Sequence, residues 1–112
     1  MPDFTTPAET FAACAEPFDA ESAAGVDVIF QYILSGSHGG EWYIVVRGQT
    51  CTIAEGRCEE KPTATIWMSD ENHVKLVNRQ LNPLVALATG KLKVRGDTFK
   101  VQLIGKFFPL AA

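Results

Sequence analysis

Histidine and cysteine are scarce in this 112-residue chain, and that scarcity closes most routes to chemistry at once. Histidine is the residue type suited to general acid–base work at neutral pH, and the chain has two to choose from, His38 and His73. Cys14, Cys51 and Cys58 are odd in number and lack Cys-x-x-Cys spacing, which argues against a disulfide framework or a zinc or redox motif and reads as reduced thiols. A metal site would need histidines, cysteines and carboxylates assembled at i, i+3 or i+4 or in a clustered loop, and no such ligand set is read in the chain, so no metal and no cofactor is expected. No stretch approaches the ~20 apolar residues that span a bilayer. No basic segment with an apolar run behind it opens the chain, and the cytoplasm is the expected setting. There is also no surplus of positive charge: the formal net charge is −3, which counts nucleic acid out as a partner.

What is present suits one folded unit. Apolar residues make up 46% and charged residues 21%, so the chain can bury a core as a single domain over residues 1–112. Thr6-Pro7-Ala8-Glu9 reads as a capping box that starts a helix ending near Pro17, and Asp19 to Ala24 as a short second helix stopped by Gly25. From Val26 to Gly36 the period changes to two, with Val28, Phe30, Tyr32 and Leu34 on one face. Ser37 to Gly40 is a hairpin loop, and Trp42, Ile44 and Val46 line one face of the returning strand. A third strand holds Cys51 and Ile53, and a fourth, Thr63 to Met68, presents Ala64, Ile66 and Met68. Ser69 then caps a helix in which His73, Val74, Leu76 and Val77 form a broad apolar side, with Asn78 as a left-handed end. Pro83 opens a helix expected to bury Leu84, Leu87 and Ala88. Lys91 to Arg95 form a fifth strand with Leu92 and Val94 inward, and Asp97 starts a last helix with Phe99, Leu103 and Phe107 on one stripe. Grouped strands with helices around them predict an α+β domain: a five-stranded, mostly antiparallel sheet with helices covering one face.

Catalytic arrangements are absent from this pattern. Gly36-Ser37-His38-Gly39-Gly40 has the look of an esterase oxyanion loop, but no Gly-x-Ser-x-Gly nucleophile elbow accompanies it, and a hairpin turn accounts for it better. Asp70-Glu71 sit at a helix N-terminus, where the dipole explains them. His73 reads as a packing residue on a helix face. The expectation is a protein that is not an enzyme.

Leu81-Asn82-Pro83 leading to Gly90-Lys91-Leu92-Lys93-Val94-Arg95-Gly96-Asp97, preceded by Thr63 to Met68 and the Ser69-Asp70-Glu71 helix, resembles the sterol carrier protein type 2 family of intracellular lipid carriers. Gln31 to Gly36 and Glu41 to Val46 are placed like that family's first two strands, so the resemblance runs over residues 18–108. Each piece is strand, turn or cap chemistry; order and spacing carry the likeness. The resemblance implies a ligand tunnel between sheet and helices, walled by Phe30, Tyr32, Trp42, Ile44, Val46, Ile66 and Met68. Leu76 and Val77, then Leu84 and Leu87, would lie against that wall, and the segment from Phe99 through Leu103 and Phe107 to Leu110 would serve as a lid. Any of these residues reads equally well as plain core.

The expected ligand is one hydrophobic lipid: a fatty acid, acyl chain, phospholipid, sterol or isoprenoid. Transient membrane contact, a homodimer or an enzyme partner are the further partners the resemblance suggests. The alternative is an accessory scaffold or dimerisation module, in lipid or quinone metabolism. The C-terminal Pro109-Leu110-Ala111-Ala112 lacks the Ser-Lys-Leu type address of many family members, which points away from peroxisomes. A permanently dry tunnel is excluded on energetic grounds. A void of about 300 Å³ would cost on the order of 7 kcal/mol, comparable to the stability of a whole domain. Lipid, water or inward collapse must fill it.

Overall fold

The computed structural model describes residues 4–14 and 19–100. In chain order the elements are α1 (Pro7–Cys14), β1 (Val28–Ser35), β2 (Gly40–Arg47), β3 (Thr50–Glu55), β4 (Ala64–Ser69), α2 (Asp70–Val77), α3 (Pro83–Ala88) and β5 (Leu92–Gly96). They build an α+β domain on a five-stranded sheet of order β3-β2-β1-β4-β5. All pairings are antiparallel except that of β1 with β4. The last two strands are antiparallel neighbours joined through α2 and α3.

Local chemistry accounts for most element boundaries. Gly48 and Gln49 both take positive φ, 58° and 61°, giving the two-residue turn whose twist matches the β2–β3 hairpin. Ser69 caps α2 by accepting the Asn72 N–H at 3.1 Å, and the Asn82 side chain accepts the Leu84 N–H at 2.8 Å ahead of Pro83. At the start of α1 the expected reciprocal capping box takes another form: the Glu9 carboxylate accepts the hydroxyls of Thr5 and Thr6. Asp19 to Ala24 is a series of turns rather than a helix, held by the Ser22 N–H and hydroxyl on the Asp19 carboxylate. Gly25 ends it at φ 76°.

Two expectations are corrected beyond α2. Asn78 has φ −79° and is not left-handed; Arg79 takes that conformation at φ 62°. Asn78 instead uses its amide as a backbone mimic, accepting the Phe4 N–H and donating to the Phe4 carbonyl, both at 2.9 Å, which ties the N-terminal segment to the end of α2. In α3 it is Ala86 that is fully buried, whereas Leu84 and Leu87 are 75% and 47% exposed and Ala88 also faces out. A six-residue helix of uninterrupted apolar sequence has no polar stripe to define its outer side, so contact with β5 decides the facing. Of the helix expected from Asp97, the described residues include only a turn that ends at Lys100, whose N–H bonds the Asp97 carboxylate at 3.1 Å; Leu103 and Phe107 lie outside the described residues.

β1 is buried on both faces. Ile29 and Gln31, on the face away from the helices, are 4% and 3% exposed. Gln31 explains how: Nε2 donates to the carbonyls of Trp42 and Gly56 at 3.0 Å each, and Oε1 accepts the Cys58 N–H at 2.9 Å. One amide thus pins the β3–β4 loop over the back of the sheet. Gln31→Ala should therefore destabilise the domain by about 2 kcal/mol, because the loop's polar groups lose their partner. Urea midpoints of the two proteins check this, and an unchanged midpoint would mean that the loop is held by other contacts.

Candidate functional site

The face of the sheet beneath the helices is built from cross-strand rows of apolar side chains. Val46 pairs with Val28; Ile44 with Phe30 and Phe30 with Ala64; Trp42 with Tyr32 and Tyr32 with Ile66; Leu34 with Met68 and Met68 with Leu92. Period-two alternation places all of them on one side, and each is less than a tenth exposed. All seven wall residues expected on the sheet are thus brought together: Phe30, Tyr32, Trp42, Ile44, Val46, Ile66 and Met68. Leu76 packs against this cluster and Val77 is half-buried. Leu84, Leu87 and Phe99 are exposed, Phe99 at 78%.

The helices contribute residues that the sequence reading passed over. Phe11 of α1 stacks on Trp42 at 5.0 Å between ring centroids and 16° between planes. It stacks on His73 of α2 at 5.0 Å and 9°, and meets Tyr32 edge-on at 5.1 Å. His73 also meets Tyr32 edge-on, at 5.6 Å. A mixed aromatic cluster therefore locks α1, α2, β1 and β2 together at one end of the covered face. Phe11 was legible as the one large apolar residue left inside the short capped helix; its partners in α2 and the sheet were not.

His73 is 6% exposed, and its Nε2 lies 2.8 Å from the Thr10 hydroxyl, which itself donates to the Pro7 carbonyl at 2.6 Å. With the hydroxyl proton committed to that carbonyl, the imidazole is the donor to Thr10, through Nε2–H. Burial pulls the His73 pKa down to about 4, so the ring is neutral at physiological pH.

The hairpin loop offers the other polar constellation, and its geometry is structural. The Asp70 carboxylate accepts the His38 N–H at 2.9 Å and the Glu71 N–H at 2.8 Å, docking the β1–β2 loop on the start of α2. The His38 amide holds the Asp70 carboxyl below its usual range. Gly36, at φ 105°, leaves room for this carboxylate: a Cβ there would collide with Asp70 Oδ1. Ser37 Oγ and Asp70 Oδ2 approach the same ring nitrogen of His38, Nδ1, at 3.3 and 4.0 Å. A nucleophile and an orienting acid need opposite nitrogens of the ring, so these three residues do not form a relay. Among the described residues no group of three or more His, Cys, Asp or Glu could hold a metal, and no helix is long and apolar enough to cross a membrane.

Comparison with known proteins completes the site. The profile of the SCP-2 sterol transfer family matches residues 9–109. Hydroxysteroid dehydrogenase-like protein 2 of Rattus norvegicus is 27% identical over 96 residues, covering 86% of this chain and 18% of the relative. The chain therefore spans about a fifth of the length of the curated relatives it matches. The stereoselective inverting sec-alkylsulfatase Pisa1 from Pseudomonas sp. superposes on 93% of this chain and 16% of its own with TM-score 0.81 and 20% identity. Palmitated SCP2L2 from Aedes aegypti superposes on 91% of this chain and 94% of its own with TM-score 0.64 and 21% identity.

Proposed function

Since the chain belongs to the SCP-2 sterol transfer family, a family of lipid-binding domains, we propose that it is a non-catalytic carrier that takes one long-chain lipid between its sheet and helices. The observation that carries this reading is the covered face itself: buried cross-strand rows with aromatic side chains under α1, α2 and α3, with no catalytic relay among the described residues. A fatty acyl chain is the ligand class favoured, because palmitate is bound by a structural neighbour of the same extent. The driving force is desolvation, roughly 0.8 kcal/mol for each methylene removed from water. Helix displacement gives the ligand its way in and out. The cytoplasm is the proposed location. Phe30, Tyr32, Trp42, Ile44, Val46, Ile66, Met68 and Leu76 are the proposed wall, and the C-terminal segment with Leu103 and Phe107 the proposed lid.

Native mass spectrometry of the purified protein, followed by denaturation and analysis of the organic extract, tests the carrier. One lipid per chain, or stoichiometric uptake of added palmitate, is the expected result. Leu103→Glu should abolish that uptake without unfolding the domain, and normal uptake would remove the lid assignment. A clean mass without uptake would favour the second reading, an accessory scaffold. That reading draws on the relatives in which the matching region is a minor part of a much longer chain. A scaffold should be dimeric or hold a specific enzyme partner in the absence of lipid.

A further inference from the structure

The four large apolar side chains most exposed among the described residues are Leu84 (75%), Val85 (50%), Leu87 (47%) and Phe99 (78%). They belong to α3, which packs against β5 at one edge of the sheet, and to the turn that directly follows β5. Charge is concentrated in the same part of the chain. Residues 79–100 hold five of the ten lysines and arginines but one of the thirteen acids, so they carry +4 while the rest of the protein carries −7. Lys91, Lys93 and Arg95 are exposed and make no ion pair among the described residues. Arg47 and Arg57, by contrast, are held by Asp27 and Glu60 and by Glu41. β5 is an outer strand. Its alternation turns Leu92 and Val94 toward the core on the side where α3 packs, and Lys93 and Arg95 to the other side. A plane laid along this edge meets leucines from one side of the strand and cations from the other.

From this juxtaposition we infer that the α3–β5 edge docks on an anionic lipid surface. A second copy of the chain would bring like charge against like charge. A polyanion without apolar matter would satisfy the cations and leave the leucines and Phe99 in water. The surface of an anionic bilayer takes both: lysine and arginine at the headgroups, leucine and phenylalanine at the acyl boundary. The negative remainder of the molecule faces away from the membrane and sets its orientation. This docking does not rest on the cargo reading, since a protein with a filled core would present the same edge.

Co-sedimentation with vesicles decides it. The full chain should partition onto phosphatidylcholine vesicles containing about a third phosphatidylserine at least roughly tenfold more strongly than onto pure phosphatidylcholine, with the difference collapsing in high salt. The triple variant Lys91→Glu, Lys93→Glu, Arg95→Glu should lose this preference. Leu84→Ser with Leu87→Ser should weaken binding even at low salt. All five positions are exposed, and circular dichroism verifies that both variants fold. Palmitate uptake is measured in parallel, so that loss of vesicle binding with uptake retained separates the edge from the cargo site. Equal binding to neutral and anionic vesicles, wild-type binding by the triple variant, or a dimer in solution that Leu84→Ser disperses would each overturn the inference.

Discussion

Phe30→Ala should lower the free energy of unfolding by about 3–5 kcal/mol, a large part of the 5–15 kcal/mol available to a domain of this size. Phe30 has no exposed surface, sits in the central strand, and pairs across to Ile44 on one side and Ala64 on the other. Its neighbour in β4 is already small, and the strands are fixed by pairing on both sides, so little can collapse into the space of the lost ring. The same variant also separates core from ligand wall. Palmitate at about a hundred times its Kd would stabilise any protein that binds it by about 2.7 kcal/mol. If the ring borders the ligand space, truncation opens room that an acyl chain can occupy, and palmitate should raise the variant's urea midpoint more than the wild type's. Equal increments would make Phe30 plain core and move the wall toward Tyr32, Trp42 and Ile66. A loss under 1 kcal/mol without ligand would show that the site relaxes freely and would refute the packing argument.

The particular residues show where sequence reasoning reaches. Period-two alternation placed Val28, Phe30, Tyr32, Trp42, Ile44, Val46, Ile66 and Met68 on one covered face, because strand facing is a local property once a single side is buried. Ser69 was readable as a cap and Pro83 as a helix start for the same reason, and the caps at Ser69 and Asn82 each act within three residues. Two of the misses involve distant partners. Gln31 sits at a position where alternation predicts the uncovered side, and only the Gly56–Cys58 backbone arriving from beyond β3 buries it. Asn78 is directed by Phe4, seventy-four residues away in sequence, rather than by its own helix end. Leu84 and Leu87 lie in a helix too short and too uniformly apolar to carry a facing signal. The strand order β3-β2-β1-β4-β5 and the parallel pairing of β1 with β4 are set by contacts distant in sequence, which alternation within each strand does not carry.

Stability should fall steeply as the solution is acidified below neutrality, and His73 should supply much of that fall. Its folded pKa is about 4, against an ordinary value of 6.5. Above pH 6.5 the ring is neutral folded or unfolded, and the stability it permits is fully present. Between about pH 6.5 and pH 4 the unfolded chain binds a proton that the native protein refuses, so unfolding is favoured by up to ~1.4 kcal/mol for each pH unit. The accumulated loss near pH 4 is about 3 kcal/mol. The cause is geometric: an imidazolium would sit between Phe11, Tyr32 and Thr10 with no carboxylate among its described contacts, and Asp70, one turn earlier in α2, is turned to the His38 amide. His73→Phe keeps an aromatic ring against Phe11 and leaves the Thr10 hydroxyl bonded to the Pro7 carbonyl, so it should fold at pH 7 with nearly wild-type stability. Urea midpoints from pH 7 to pH 4.5 should then diverge, the variant losing less stability at every step. Carboxylates such as Asp70 and Glu41 titrate in both proteins and cancel in the difference. Parallel curves would mean that the folded protein admits the proton, and that α1 is not packed over His73 tightly enough to exclude water.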